Sequence, residues 1–144
     1  MKTENAPQNA PQNTMEHITL SLRLKLAALW ASFMFLYTYV DLFGLYMPGK
    51  IKDILEGKVF TFDISQTFLF IVMVLVAIPT FMIFLSVAMP NKLNRWVNPI
   101  VAVIFIPYML FNLVGEAWPH MYFAAVLEVI HLLLIVWYAR KLPS

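Results

Sequence analysis

Residues 121–138, MYFAAVLEVIHLLLIVWY, decide the fold: 18 consecutive positions hold one Glu and one His among otherwise apolar or aromatic side chains. Crossing roughly 30 Å of hydrocarbon takes about 20 helical residues. Three further stretches reach that length, Leu24–Tyr46, Gln66–Met89 and Val97–Gly115. With 61% hydrophobic and 12% charged residues over 144 positions, the composition is too apolar for a soluble domain, whose surface needs more charge. The chain therefore reads as an all-α, integral membrane four-helix bundle. Cysteine is absent, so disulfides, thiolate metal sites and thiol relays are excluded.

The Lys and Arg residues divide unequally between the two membrane faces. Lys2, Arg23, Lys25, Lys92, Arg95, Arg140 and Lys141 fall on one side, seven in all, and Lys50, Lys52 and Lys58, three, on the other. Cytoplasmic loops carry the excess of positive charge, which predicts both termini inside and residues 47–65 outside. The net charge of +2 follows from basic flanks of membrane spans and calls for no nucleic-acid partner. The expected partners are membrane lipid, a small ligand and further copies of the chain.

Residues 1–20 read as a disordered cytoplasmic tail, because Asn5-Ala6-Pro7-Gln8 recurs as Asn9-Ala10-Pro11-Gln12 and offers nothing apolar to bury. They lack the apolar core of a signal peptide, so the first span is expected to remain as an anchor. The bundle then occupies residues 21–144. After the first span, Met47-Pro48-Gly49 stops the helix, and Ile51, Ile54 and Leu55 against charged neighbours suit a short helix in the interface. Asp63 and Gln66 have the spacing of a capping pair for the second span. Pro90 to Arg95 reads as a polar turn, with Trp96, Trp118 and Trp137 as interfacial anchors.

Ionisable groups cluster in the predicted outer halves of the spans. A carboxylate or imidazole at hydrocarbon depth is costly without a partner or water, and such groups usually face an interior site. On the fourth span His120, Ala124, Glu128 and His131 fall within an arc of roughly 80°, with Tyr138 in the same stripe. Asn98, Tyr108, Asn112 and Glu116 form a similar stripe on the third, and Tyr37 and Asp41 are neighbours on the first. These stripes predict an outward-opening acidic pocket of Asp41, Glu128, His131, Tyr37, Asn112, Glu116 and His120, with Asp41 and Glu128 near one level. Asp41, Glu116 and His120 also have a plain reading as span-end residues that reach interfacial water. For Glu128 and His131 the plain reading is a buried inter-helix hydrogen bond.

Glu128-x-x-His131 has the spacing used in carboxylate-bridged di-metal bundles, but a single copy does not complete such a shell. No metal or other cofactor is expected. The same pair suits acid–base chemistry in a membrane isomerase or quinone-linked enzyme, or proton relay in a transporter. An accessory subunit, with polar stripes that only hold helices together, is the third possibility. No phosphate loop, nucleophile elbow or metalloprotease motif is present.

From Tyr39-Val40-Asp41 through Tyr46-Met47-Pro48-Gly49 and on to Arg140, the chain resembles a family of small bacterial four-span proteins described as a domain of unknown function. More distantly it is similar to the DoxX-like family. The resemblance implies a four-helix bundle in a bacterial inner membrane. DoxX is associated with quinone-linked sulfur oxidation, but no motif here carries that activity onto this chain.

Overall fold

The computed structural model describes residues 10–115 and 117–143, with side chains from Thr14 onward. Its elements are α1 (Ala10–Gly44), α2 (Lys50–Leu55), β1 (Lys58–Val59), β2 (Phe62–Asp63), α3 (Gln66–Ala88), α4 (Asn91–Phe111) and α5 (Pro119–Arg140). The chain is mostly helical, and α1, α3, α4 and α5 are each long and apolar enough to cross a membrane. Four such helices mark a multi-pass membrane protein.

Local chemistry sets the ends of these helices. α1 reaches back to Ala10, so residues 10–20, read from the sequence as tail, are helical; residues 1–9 lie outside the described residues. Pro11 sits in the first turn, where its missing N–H costs nothing, and no breaker follows before Gly44. The helix stops at Gly44, two residues before the expected end, because the Pro48 ring would collide with the Gly44 carbonyl in a continued helix. Gly49, at φ +88°, then turns the chain into α2.

The β1–β2 hairpin was not foreseen, since its two-residue turn is Phe60-Thr61 rather than an Asn-Gly type, with Phe60 at φ +55°. Ser65, and not the Asp63–Gln66 pair, caps α3: its hydroxyl accepts from the Phe68 N–H at 3.1 Å, while Asp63 lies in β2. The turn expected over residues 90–95 shrinks to Met89-Pro90, because Pro90 holds Met89 extended and its carbonyl accepts the first helical bond of α4, from the Asn94 N–H. α4 ends at Phe111 rather than Gly115, and α5 opens on Pro119 at a position that favours proline.

α1 lies between α3 and α5, α5 also packs on α4, and α3 and α4 touch only sparingly. Side-chain pairs fix the directions. Lys25 with Tyr138 and Ser32 with His131 run antiparallel, whereas Arg23 with Asn91, Trp30 with Asn98 and Tyr37 with Tyr108 run parallel. The bundle therefore has a loop end, with residues 45–65 and 112–118, and a base, where α1 starts and α5 finishes.

The core follows one spacing on three helices. Leu26, Trp30, Phe33 and Tyr37 on α1, Asn98, Ala102, Phe105 and Met109 on α4, and Glu128, Leu132, Ile135 and Ala139 on α5 are all buried, at steps of four, three and four. Such steps keep a seam facing the neighbouring helices. Glu128 occupies one of these seam positions among apolar residues.

Candidate functional site

The loop-end half of the bundle brings Tyr37, Tyr108, Glu128 and Asp41 into one neighbourhood. Tyr37 is a seam residue of α1, stacked on Phe33 with ring centroids 6.4 Å apart, and its hydroxyl meets that of Tyr108 at 3.2 Å. Phe105 supports Tyr108 edge-on at 5.7 Å. The two hydroxyls are thus held by rings whose positions the core fixes. Either can donate to the other.

Glu128 is 3% exposed, and its Oε1 is buried without a hydrogen-bond partner. Its carboxyl lies within Coulombic reach of both the Tyr37 hydroxyl and Asp41. Asp41, one helical turn beyond Tyr37, is its neighbour along α1 and is exposed. Tyr37 lies about 10 Å and Asp41 about 5 Å inside the loop end of α1, and Glu128 about 13 Å inside that of α5. The carboxylates are therefore staggered rather than level, Asp41 toward the mouth and Glu128 toward the middle. The shift arises because α1 ends earlier, and α5 begins earlier, than the apolar runs alone indicated.

The other expected members stand apart. His131 points along the α1 border of α5: its Nδ1 donates to the Leu127 carbonyl at 2.7 Å, and its Nε2 meets the Ser32 hydroxyl at 3.0 Å. With a proton on Nδ1, a neutral ring accepts from Ser32 at Nε2. The buried seam of α5 is centred on Glu128, and His131 lies about 60° from it, which separates residues that a coarse stripe unites. Both ring nitrogens of His131 are engaged, so the contact with Glu128 considered for it is not made. His120 is half-buried beside the Trp118 ring at 6.3 Å, and its Nε2 is buried without a partner. Asn112 is exposed at the end of α4, and Glu116 lies outside the described residues. Among the described residues no group of three or more His, Cys, Asp or Glu side chains comes together as a metal site.

The Oε1 of Glu128 is closed off from the surface. Two open hollows, about 460 and 310 Å³, lie near the base instead, the larger lined by His17, Leu20, Ser21, Leu24, Lys25 and Ala28.

Sequence reasoning missed a second polar cluster at that base. The Trp30 Nε1–H donates to Asn98 Oδ1 at 2.7 Å, and the Ser86 hydroxyl approaches the same oxygen at 3.0 Å. Asn98 Nδ2 donates to the Asn94 carbonyl and side-chain oxygens, at 3.1 and 2.8 Å. Asn94 Nδ2 in turn donates to the Ser86 and Met89 carbonyls, covering the open end of α3. Arg23 closes the cluster from α1 through two bonds to Asn91 Oδ1, at 2.9 and 2.7 Å. The signal was the Asn91, Asn94, Asn98 spacing, which places three amides along one side of a helix. Every group here has a partner, which marks a structural clasp rather than a site.

Fold and site together define a small multi-pass helical membrane protein with a buried carboxyl at mid-depth. A family model spanning residues 18–142 matches the chain, and the protein belongs to that family, a family of unknown function (DUF6326). No curated protein and no solved structure matches, and nothing in these comparisons supports the more distant DoxX-like resemblance.

Proposed function

We propose that this protein binds and moves protons, alone or coupled to a small ligand, with Glu128 as the group that takes up and releases the proton. The observation that carries this reading is the buried, unpartnered Oε1 of Glu128 at a seam position of a membrane-spanning helix. A carboxylate at that depth loses its hydration with no hydrogen bond from the protein to offset the loss, so taking up a proton is the least costly way to stay buried. Release of that proton reverses the balance and favours rearrangement of α1, α4 and α5 around the charge.

The rest of the reading follows from the sequence: both termini cytoplasmic, a bacterial inner membrane, and a homo-oligomer assembled around this small bundle. A membrane enzyme using Glu128 and His131 as acid and base is the alternative, and it draws no support from the geometry because His131 is bonded to Ser32 and Leu127. In liposomes, a pH gradient is expected to drive proton flux through the wild type and not through Glu128→Gln. Equal flux from a folded Glu128→Gln protein removes the proposal.

A further inference from the structure

We infer that Asp41 and the Tyr37–Tyr108 hydroxyl pair form the proton inlet to Glu128 from the loop end, and that the absent hydrogen bond at Glu128 is its gate. The inference rests on Glu128 as the proton-binding group and adds the route. Asp41 is exposed at the mouth, one helical turn from Tyr37, and so can collect a proton from the interface. Tyr37 is buried and already bonded to Tyr108 at 3.2 Å, an O–H to O contact along which a proton passes by exchange. In each transfer the Asp41 carboxyl releases a proton to the Tyr37 oxygen, Tyr37 passes its own proton to Tyr108, and Tyr108 releases its proton to the Glu128 carboxylate. Both tyrosines end neutral, and one proton has moved from Asp41 to Glu128.

The surroundings of Glu128 narrow the choice. From α1, Tyr37 and Asp41 lie within its Coulombic reach, α4 contributes Tyr108 through its bond to Tyr37, and α3 contains no titratable residue. On α5 itself His131 is occupied by Leu127 and Ser32, and His120 lies near the mouth beside Trp118. Among the described residues, the tyrosine pair offers exchangeable hydroxyls at a depth between those of the exposed carboxylate and the buried one. Since Oε1 makes no hydrogen bond, the final transfer requires Glu128 to turn toward the pair or one water to enter. The conduit is consequently closed at rest and conducts only when that last contact forms.

The test is the rate of proton uptake after an external pH jump, read by a pH dye trapped in proteoliposomes, beside the infrared signature of a protonated carboxyl at equilibrium. Tyr37→Phe and Tyr108→Phe keep the rings and remove only the hydroxyls. Each is expected to slow uptake on the order of 100-fold, the contribution of a positioned proton-transfer group, while leaving the equilibrium carboxyl signature unchanged. Asp41→Asn is expected to slow uptake as well. Wild-type rates in both Phe variants overturn the inlet and leave the role of Glu128 standing. A carboxyl signature that survives in Glu128→Gln overturns the underlying reading as well.

Discussion

Replacing Asn98 by Ala should loosen the whole base of the bundle, and the size of the effect follows from its bonds. The amide is fully buried and links three helices, accepting from Trp30 on α1 and Ser86 on α3 while its own donors hold Asn94. Interhelical side-chain bonds in membranes contribute about 0.6 kcal/mol on average and up to about 1.7. Two of them give roughly 1–3 kcal/mol, and the small void left behind adds about 1 more. Asn98→Ala is therefore expected to lose about 2–4 kcal/mol in reversible unfolding from mixed micelles, followed by far-UV circular dichroism as the denaturing detergent is raised. Trp30→Phe removes a single donor, and in a double-mutant cycle it should couple to Asn98→Ala by about 0.5 kcal/mol or more. A variant within about 0.5 kcal/mol of wild type, or a cycle with no coupling, refutes the assignment of this cluster as the clasp of the fold.

Three other outcomes follow. Glu128→Leu, which trades an unpartnered buried carboxyl for an apolar group of similar size, should raise stability by about 1–3 kcal/mol; a loss would show that Glu128 has a structural partner. Ser65→Ala should cost about 1 kcal/mol and speed amide exchange in the first turn of α3, and unchanged exchange there would remove Ser65 as the cap. Gly115 has φ +98°, and a methyl group placed on it runs into the Phe60 ring, so Gly115→Ala should destabilise by roughly 1–2 kcal/mol. Adding Phe60→Ala should recover the steric part of that loss in thermal melts, and no recovery would separate the hairpin from the turn it meets.

The spans were legible because hydropathy and length are properties of the chain itself, and Glu128 was legible because a carboxylate amid sixteen apolar or aromatic positions has few places to go. The exact phase of a helix was not. A stripe about 80° wide holds both Glu128 and His131, yet the seam is set by which residues meet α1 and α4, and that places His131 on its border beside Ser32. The depth of Asp41 depended on where α1 stops, and Pro48 acts on Gly44, four residues upstream. The asparagine clasp looked like a turn because Asn and Pro favour turns locally. Only the close return of α4 against the end of α3 gives those amides carbonyls to cap. Tyr108 gains its place from a bond to a helix 71 positions away in the chain, which no local spacing announces.

The great length of α1 has a consequence of its own. It comprises 35 residues against 21 to 23 for α3, α4 and α5, so even the longest of these falls 12 short, about 18 Å of helical rise. Because Arg23 is already level with Asn91 at the start of α4, the surplus projects beyond the base as a rigid spur. A probe or fusion partner attached near Ala10 would therefore stand well away from the base of the bundle, and its orientation would report any tilt of α1 with the leverage of a pointer.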